Sequence, residues 1–180
     1  TEQRNHKRNG NRRLEKVIYK DGSMLIRDQT LLPKKENSEG MTSLDDCRTA
    51  IKKLRVRGAP AIGIFAGYAM ALFGRENAKQ AKAALDSARP TAVNLSWATS
   101  RLLKAIESGK DPVAEARPIH NEDMEMCRKL SEYGLSLLHD GDGILTHSNA
   151  GELANSKYGT GLGPLISGDA TGSHGQVDSR

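Results

Sequence analysis

Large aromatic rings are scarce: one Trp, two Phe and four Tyr make up 4% of the 180 residues. A core has to be assembled from Leu, Ile, Val, Ala and Met instead. Cysteine is scarcer still. Cys47 and Cys127 stand alone, 80 positions apart and each inside a helical pattern, which excludes a disulfide framework or thiolate metal cluster and suits a reducing compartment. Both read as small buried hydrophobes. His120, His139 and His147 lack metal-ligand spacing, so no metal is expected. No stretch approaches the roughly 18 apolar residues of a membrane span, and the apolar run of a signal peptide is missing. The chain is therefore expected to be cytoplasmic, with no membrane partner.

Net charge is confined to one end. The net charge is +5, and Thr1 to Lys20, with seven Lys or Arg against two Glu, accounts for all of it. The arm "TEQRNHKRNGNRR" has no aromatics to interleave with bases and no apolar face. It reads as a basic, flexible extension over residues 1–15, with no nucleic acid expected as partner.

Two β-type runs, Val17 to Tyr19 and Ser23 to Arg27, flank Asp21-Gly22, a dipeptide suited to a tight hairpin. "KKENSEG" reads as a loop, and Thr42 or Ser43 offers an N-cap for a helix from Leu44 to about Leu54, with Leu44, Cys47, Ala50, Ile51 and Leu54 as its core stripe. A small-residue helix follows from about Ala61 to Phe73. Its Gly63 and Gly67 each cost about 1 kcal/mol relative to Ala, which implies close packing or a ligand. "ENAKQAKAALDSA" and "TAVNLSWATSRLLKAIESG" are further helices; in the second Val93, Leu95, Trp97, Leu102, Leu103 and Ile106 are the apolar candidates and Gly109 the stop. The last long helix spans about Pro112 to Leu138, with a break allowed near Pro118.

"DGDGILTHSNAGELANSKYGTGLGPL" then changes character, with a short strand, a glycine turn and a helix start, the opening of an α/β unit. "ISGDATGSHGQVDSR" is polar, glycine-rich and aperiodic. The expected class is α+β: a mainly helical N-terminal domain with a small antiparallel sheet (16–139), followed by the opening βα unit of an incomplete Rossmann-like α/β domain (140–166). A disordered tail is expected over 167–180.

Three stretches could carry chemistry. In "VRGAPAIG", Arg57 beside Gly58 at a helix entrance combines a fixed cation, a close-approach backbone and helix N-terminal amides, which suits a phosphate. In "ARPTAVNLSWA", Arg89 is held extended by Pro90 just ahead of another helix N-terminus. The third, "THSNAG", sets a glycine turn at a strand C-terminus, where open α/β sheets bind ligands. Ser148 lies beside His147, but strand neighbours face opposite ways and the G-x-S-x-G elbow is absent.

In this order, "YKDGSMLIRDQTLLP", "LRVRGAPAIGI", "RPTAVNLSWA" and "THSNAG" with "SKYGTGLGP" resemble the S-methyl-5-thioribose-1-phosphate isomerases of methionine salvage. That family is related to regulatory subunits of a translation-initiation exchange factor and to ribose-1,5-bisphosphate isomerases. The resemblance runs from about Lys16 to Leu165, roughly the first half of a family member. It implies aldose-to-ketose isomerisation of a sugar 1-phosphate to S-methyl-5-thioribulose 1-phosphate, with no cofactor and with a homodimer in the full-length family. By the same resemblance Arg57, Gly58, Ala59 and Arg89 match substrate-binding positions, and Ser148 stands at the position of the family's catalytic cysteine.

A hydroxyl is a poor substitute for a thiol whose free pKa is about 8.5. The family's aspartate partner belongs to a later segment that this sequence does not contain. The 180-residue chain is expected to be truncated and inactive by itself. The alternative is a non-catalytic sugar-phosphate-binding or regulatory protein, akin to the exchange-factor subunits.

Overall fold

The computed structural model describes residues 16–139, 141–147, 150–155, 159–171 and 176–179. The expected basic extension (1–15) and Ser148 lie outside the described residues.

Strands β1 (Val17–Lys20) and β2 (Ser23–Arg27) form the hairpin, with Lys20 opposite Ser23 across Asp21-Gly22. Both turn residues have positive φ, 50° and 76°, the backbone that matches strand twist. On β2, Met24 and Ile26 are buried while Leu25 between them is exposed, the alternation of a one-sided sheet. A third strand, β3 (Ser38–Met41), pairs antiparallel with β2, Met41 opposite Met24. The sequence reading placed these residues in a loop. Ser38, Glu39 and Gly40 have little intrinsic strand preference; β2's free edge and the burial of Met41 override it.

Helix α1 (Leu44–Lys52) starts at Ser43, whose side chain accepts the Asp46 N–H. It ends two residues earlier than expected, because Leu54 takes φ 58°. Leu54 is thereby turned outward and leaves the core stripe.

Helix α2 (Ala59–Phe73) is buried on nearly every side from Ala61 to Ala71, the pattern of a central helix. Each large side chain along it, such as Ile62, Phe65 or Met70, contributes roughly 1.5–3 kcal/mol by leaving water. Helix α3 (Ala78–Ala88) presents Ala81 and Leu85 to the core. Helix α4 (Val93–Glu107) crosses α2 so closely that a Cβ on Gly63 would sit 3.0 Å from the Asn94 carbonyl oxygen.

The buried face of α4 is Leu95, Ala98, Thr99, Leu102 and Ala105, with Leu103 and Ile106 partly buried beside it. Val93 and Trp97, both core candidates from the sequence, are 76% and 48% exposed. At 100° per residue they fall opposite the Leu95 stripe. The helix stops at Gly109, φ 73°, whose N–H bonds Ile106 while Lys110 N–H bonds Ala105. This is a Schellman closure.

Helix α5 (Pro112–Leu135) is capped by Asp111, which accepts from Val113 and Ala114 N–H. It runs through Pro118 without a break. Arg101 ties α4 to it through Glu115 and Glu122.

Strand β4 (Gly143–Thr146) leads to a 3₁₀ turn (Glu152–Ala154) and helix α6 (Gly163–Thr171), and β5 (Gln176–Ser179) pairs parallel with β4. Helix and strand thus occupy 167–171 and 176–179, where the sequence suggests a disordered tail. Small residues are why the composition misled: a Cβ on Gly163 would meet Ser131 Oγ at 2.2 Å, and one on Gly134 would meet Pro164 at 2.5 Å. Helix α6 docks on α5 by close backbone approach, which hydrophobicity does not register.

Candidate functional site

Val56 is fully buried, anchoring the turn after α1 and leaving its neighbour Arg57 exposed beside the entrance of α2. Gly58, at φ 92° and ψ 135°, precedes α2, and no side chain caps that helix. The amides of its first turn have no partner within the helix, apart from Ile62 N–H, which reaches Gly58 carbonyl. Arg89 closes α3 in an extended conformation, φ −149°, as the following Pro90 requires. Three residues on, α4 begins at Ala92, again without a side-chain cap. Arg57 thus stands at one open helix N-terminus, and Arg89 three residues ahead of another.

Arg57, Gly58, Ala59 and Arg89, all named from the sequence, line a single cleft of about 410 Å³. Its far wall is Ala154, Asn155 and Thr160, from the segment that follows β4. His147 is exposed at the end of β4, and Ser148 after it lies outside the described residues.

The charge balance distinguishes the cleft from the rest of the surface. Arg27, Arg48, Arg55, Arg75, Arg101 and Arg128 each hold a carboxylate. Among the described residues Arg57 and Arg89 hold none, and neither does Arg117 on α5. Among the described residues the cleft lining contains no Asp or Glu. An anion at the N-terminus of a helix gains about 0.3–1 kcal/mol from the aligned peptide dipoles, and two guanidinium groups add fork-shaped donors. The arrangement suits a phosphate dianion.

Two residues the sequence reading passed over hold the far wall in place. Lys16 is only 4% exposed, and its Nζ donates to the Asn155 carbonyl at 2.8 Å. Gln29 Nε2 donates to the Leu153 carbonyl at 3.1 Å and reaches the Arg57 carbonyl at 3.5 Å. The small sheet therefore pins both sides of the cleft at once. Lys16 was hidden in the basic arm, and Gln29 in "RDQT" carried no spacing signal; the partners of both are backbone carbonyls far along the chain.

No thiol stands ready at the cleft. Burial pushes Cys47 up to about 12, helped by the nearby Asp46 carboxylate, and pushes Cys127 up to about 11. Both stay protonated near neutrality. Among the described residues no group of three His, Cys, Asp or Glu could hold a metal ion, and no helix is long and apolar enough to cross a membrane.

Helices around a buried central helix, a small antiparallel sheet and an anion-suited cleft closed by the start of an α/β unit define the class. The model of the initiation factor 2 subunit family matches residues 55–160, and the chain belongs to that family. It is 40% identical over 179 residues to a methylthioribose-1-phosphate isomerase of Chloroflexus aurantiacus, covering 88% of this chain and 52% of that protein. The crystal structure of 5-methylthioribose 1-phosphate isomerase from Pyrococcus horikoshii superposes with a TM-score of 0.81 at 35% identity, covering 91% of this chain and 51% of that one. The delta subunit of translation initiation factor eIF-2B from A. fulgidus superposes with a TM-score of 0.80 at 38% identity, covering 92% and 54%. The chain spans about half the length of the relatives it matches.

Proposed function

We propose that this chain forms the phosphate-holding part of an S-methyl-5-thioribose-1-phosphate isomerase. The observation that carries the reading is the convergence of Arg57, Arg89 and the uncapped start of α2 on one cleft whose described lining holds no carboxylate. Arg57 and Arg89 grip the phosphate of the sugar 1-phosphate. Gly58 and Ala59 let the backbone approach it, and their amides donate to its oxygens.

Isomerisation then requires ring opening and proton transfer from C2 to C1, with an acid and a base at matched pKa values. The described lining offers neither a carboxylate nor an imidazole nor a thiol. Ser148, at the cysteine position by resemblance, supplies a hydroxyl that donates or accepts a hydrogen bond but ionises far above neutrality. We accordingly assign this 180-residue chain binding without turnover. The reading also carries a homodimer and a cytoplasmic setting for the whole enzyme, both by resemblance to the isomerase family.

A phosphorus NMR titration with S-methyl-5-thioribose 1-phosphate tests it. The expected result is broadening or shift of the anomeric phosphate signal, lost on Arg57→Ala or Arg89→Ala, with no ketose phosphate formed. Conversion that scales with protein would overturn the binding-only assignment, and an unperturbed signal would overturn the phosphate site itself. The likeness to the eIF-2B delta subunit favours a second reading, a non-catalytic sugar-phosphate-binding or regulatory protein. Binding of other sugar phosphates as tight as that of S-methyl-5-thioribose 1-phosphate in the same titration would select it.

A further inference from the structure

An acidic residue stands three positions before Arg89, close enough along the chain to compete for it. Asp86 lies in the last turn of α3, and its carbonyl accepts the Arg89 N–H at 3.2 Å. A carboxylate there opposes the helix dipole. An Asp followed three residues later by an Arg is also the spacing of a surface ion pair. Yet Arg89 makes no ion pair among the described residues.

The Asp86 carboxylate is occupied elsewhere. Lys82 Nζ donates to Oδ2 at 2.5 Å, and the fully buried Thr99 hydroxyl of α4 donates to Oδ1 at 2.8 Å. Lys82 also reaches Thr99 Oγ1 at 3.2 Å, closing a three-membered network. The Lys82 and Asp86 side chains are only 24% and 27% exposed, so the network is shielded from water on most sides. Lys preceding Asp by four residues is the less favourable order in an isolated helix, so helix stability alone does not account for the arrangement. Local rules broken together in this way point to a site.

We propose that Lys82 and Thr99 are positioning residues for Arg89: they sequester the Asp86 carboxylate and so keep the Arg89 guanidinium open to an anion. The proposal rests on Arg89 as a phosphate ligand, and it makes the affinity of the cleft depend on two residues that do not line it. Removing Lys82 frees Asp86 to turn to Arg89. A surface pair of ordinary strength, about 0.3–1 kcal/mol, then competes with the ligand and weakens binding roughly twofold to fivefold.

The test is a double-mutant cycle with two readouts, inorganic phosphate affinity by phosphorus NMR and the ¹⁵N shift of Arg89 Nε, assigned by its disappearance in Arg89→Lys. Lys82→Met is expected to weaken phosphate binding within that range and move the Nε resonance. Lys82→Met with Asp86→Asn is expected to restore both, because the competing charge is gone. A tie that merely joined α3 to α4 gives the opposite pattern, with the double variant as impaired as the single one or more so. Should Lys82→Met unfold, Lys82→Gln removes the charge but keeps a donor, and a smaller change in the same direction is expected. Unchanged affinity and an unmoved Nε in Lys82→Met overturn the proposal, as does a loss that persists in the double variant. If wild-type protein fails to bind phosphate, the phosphate-site reading falls, and the Nε shift still decides whether Asp86 is withheld from Arg89.

Discussion

The Cβ that Gly58 lacks would lie 2.4 Å from the Cα of Ala154, although the two residues belong to opposite walls of the cleft. The turn into α2 and the segment after β4 are therefore in direct backbone contact. Any side chain at position 58 drives them apart.

Gly58→Ala is accordingly expected to destabilise the fold and open the cleft. The backbone at φ 92° alone costs a non-glycine residue about 1–3 kcal/mol, and the contact with Ala154 adds to it. A urea unfolding curve reads the loss. Stability equal to wild type would mean that the 152–154 segment moves away freely.

Gln29→Met keeps the shape and volume of the side chain and removes its donor. It leaves the Leu153 carbonyl without its 3.1 Å partner, for an expected cost of about 1–3 kcal/mol if the carbonyl stays dry. Hydrogen exchange should rise most in residues 151–155. Uniform acceleration across all helices would instead assign Gln29 a role in global stability.

Alkaline pH should weaken the fold through its thiols. Cys47 and Cys127 are raised from about 9 to about 12 and about 11, so between pH 9 and those values the unfolded chain releases protons that the folded chain retains. Stability is fully present below pH 9 and falls as pH rises, by about 1 kcal/mol per thiol at pH 10. Tyr68, raised by burial despite nearby Arg117, acts in the same direction. Urea midpoints at pH 8 and pH 10 check this, and Cys47→Ala with Cys127→Ala should flatten the difference.

Trp97 is the single tryptophan, and it is half exposed with Arg101 5.6 Å from its ring centre. Its fluorescence should be quenched efficiently by acrylamide and should shift on Arg101→Ala. A buried, quencher-resistant tryptophan would mean that the outer face of α4 is covered in solution.

The helices were legible because their ends carry local chemistry: Ser43 and Asp111 as caps, and Gly109 as a Schellman stop. Arg57 and Arg89 stood out for a related reason, since Gly58 and Pro90 beside them restrict the backbone in ways a sequence displays. Strand β3 was not legible. Ser38, Glu39 and Gly40 carry no strand pattern, and only the edge of β2 and the burial of Met41 make them a strand. The start of helix α6 was legible in "GLGPL", but its continuation over 167–171 was not, because glycine against serine and proline makes a tight contact with no hydrophobic pattern. The supports of the cleft, Lys16 and Gln29, were invisible in principle, because carbonyl acceptors carry no residue identity.

The bond from Lys16 to the Asn155 carbonyl joins positions 139 residues apart, and Gln29 reaches Leu153 across 124. On a ribosome making roughly 5–20 residues per second, the small sheet and α2 are complete well before their partners exist. The cleft has only one wall for several seconds of synthesis. Its second wall arrives only with residues 154–160, so the anion site matures after the small sheet and helices α1 to α5, and any stall before residue 153 leaves Lys16 and Gln29 without their acceptors.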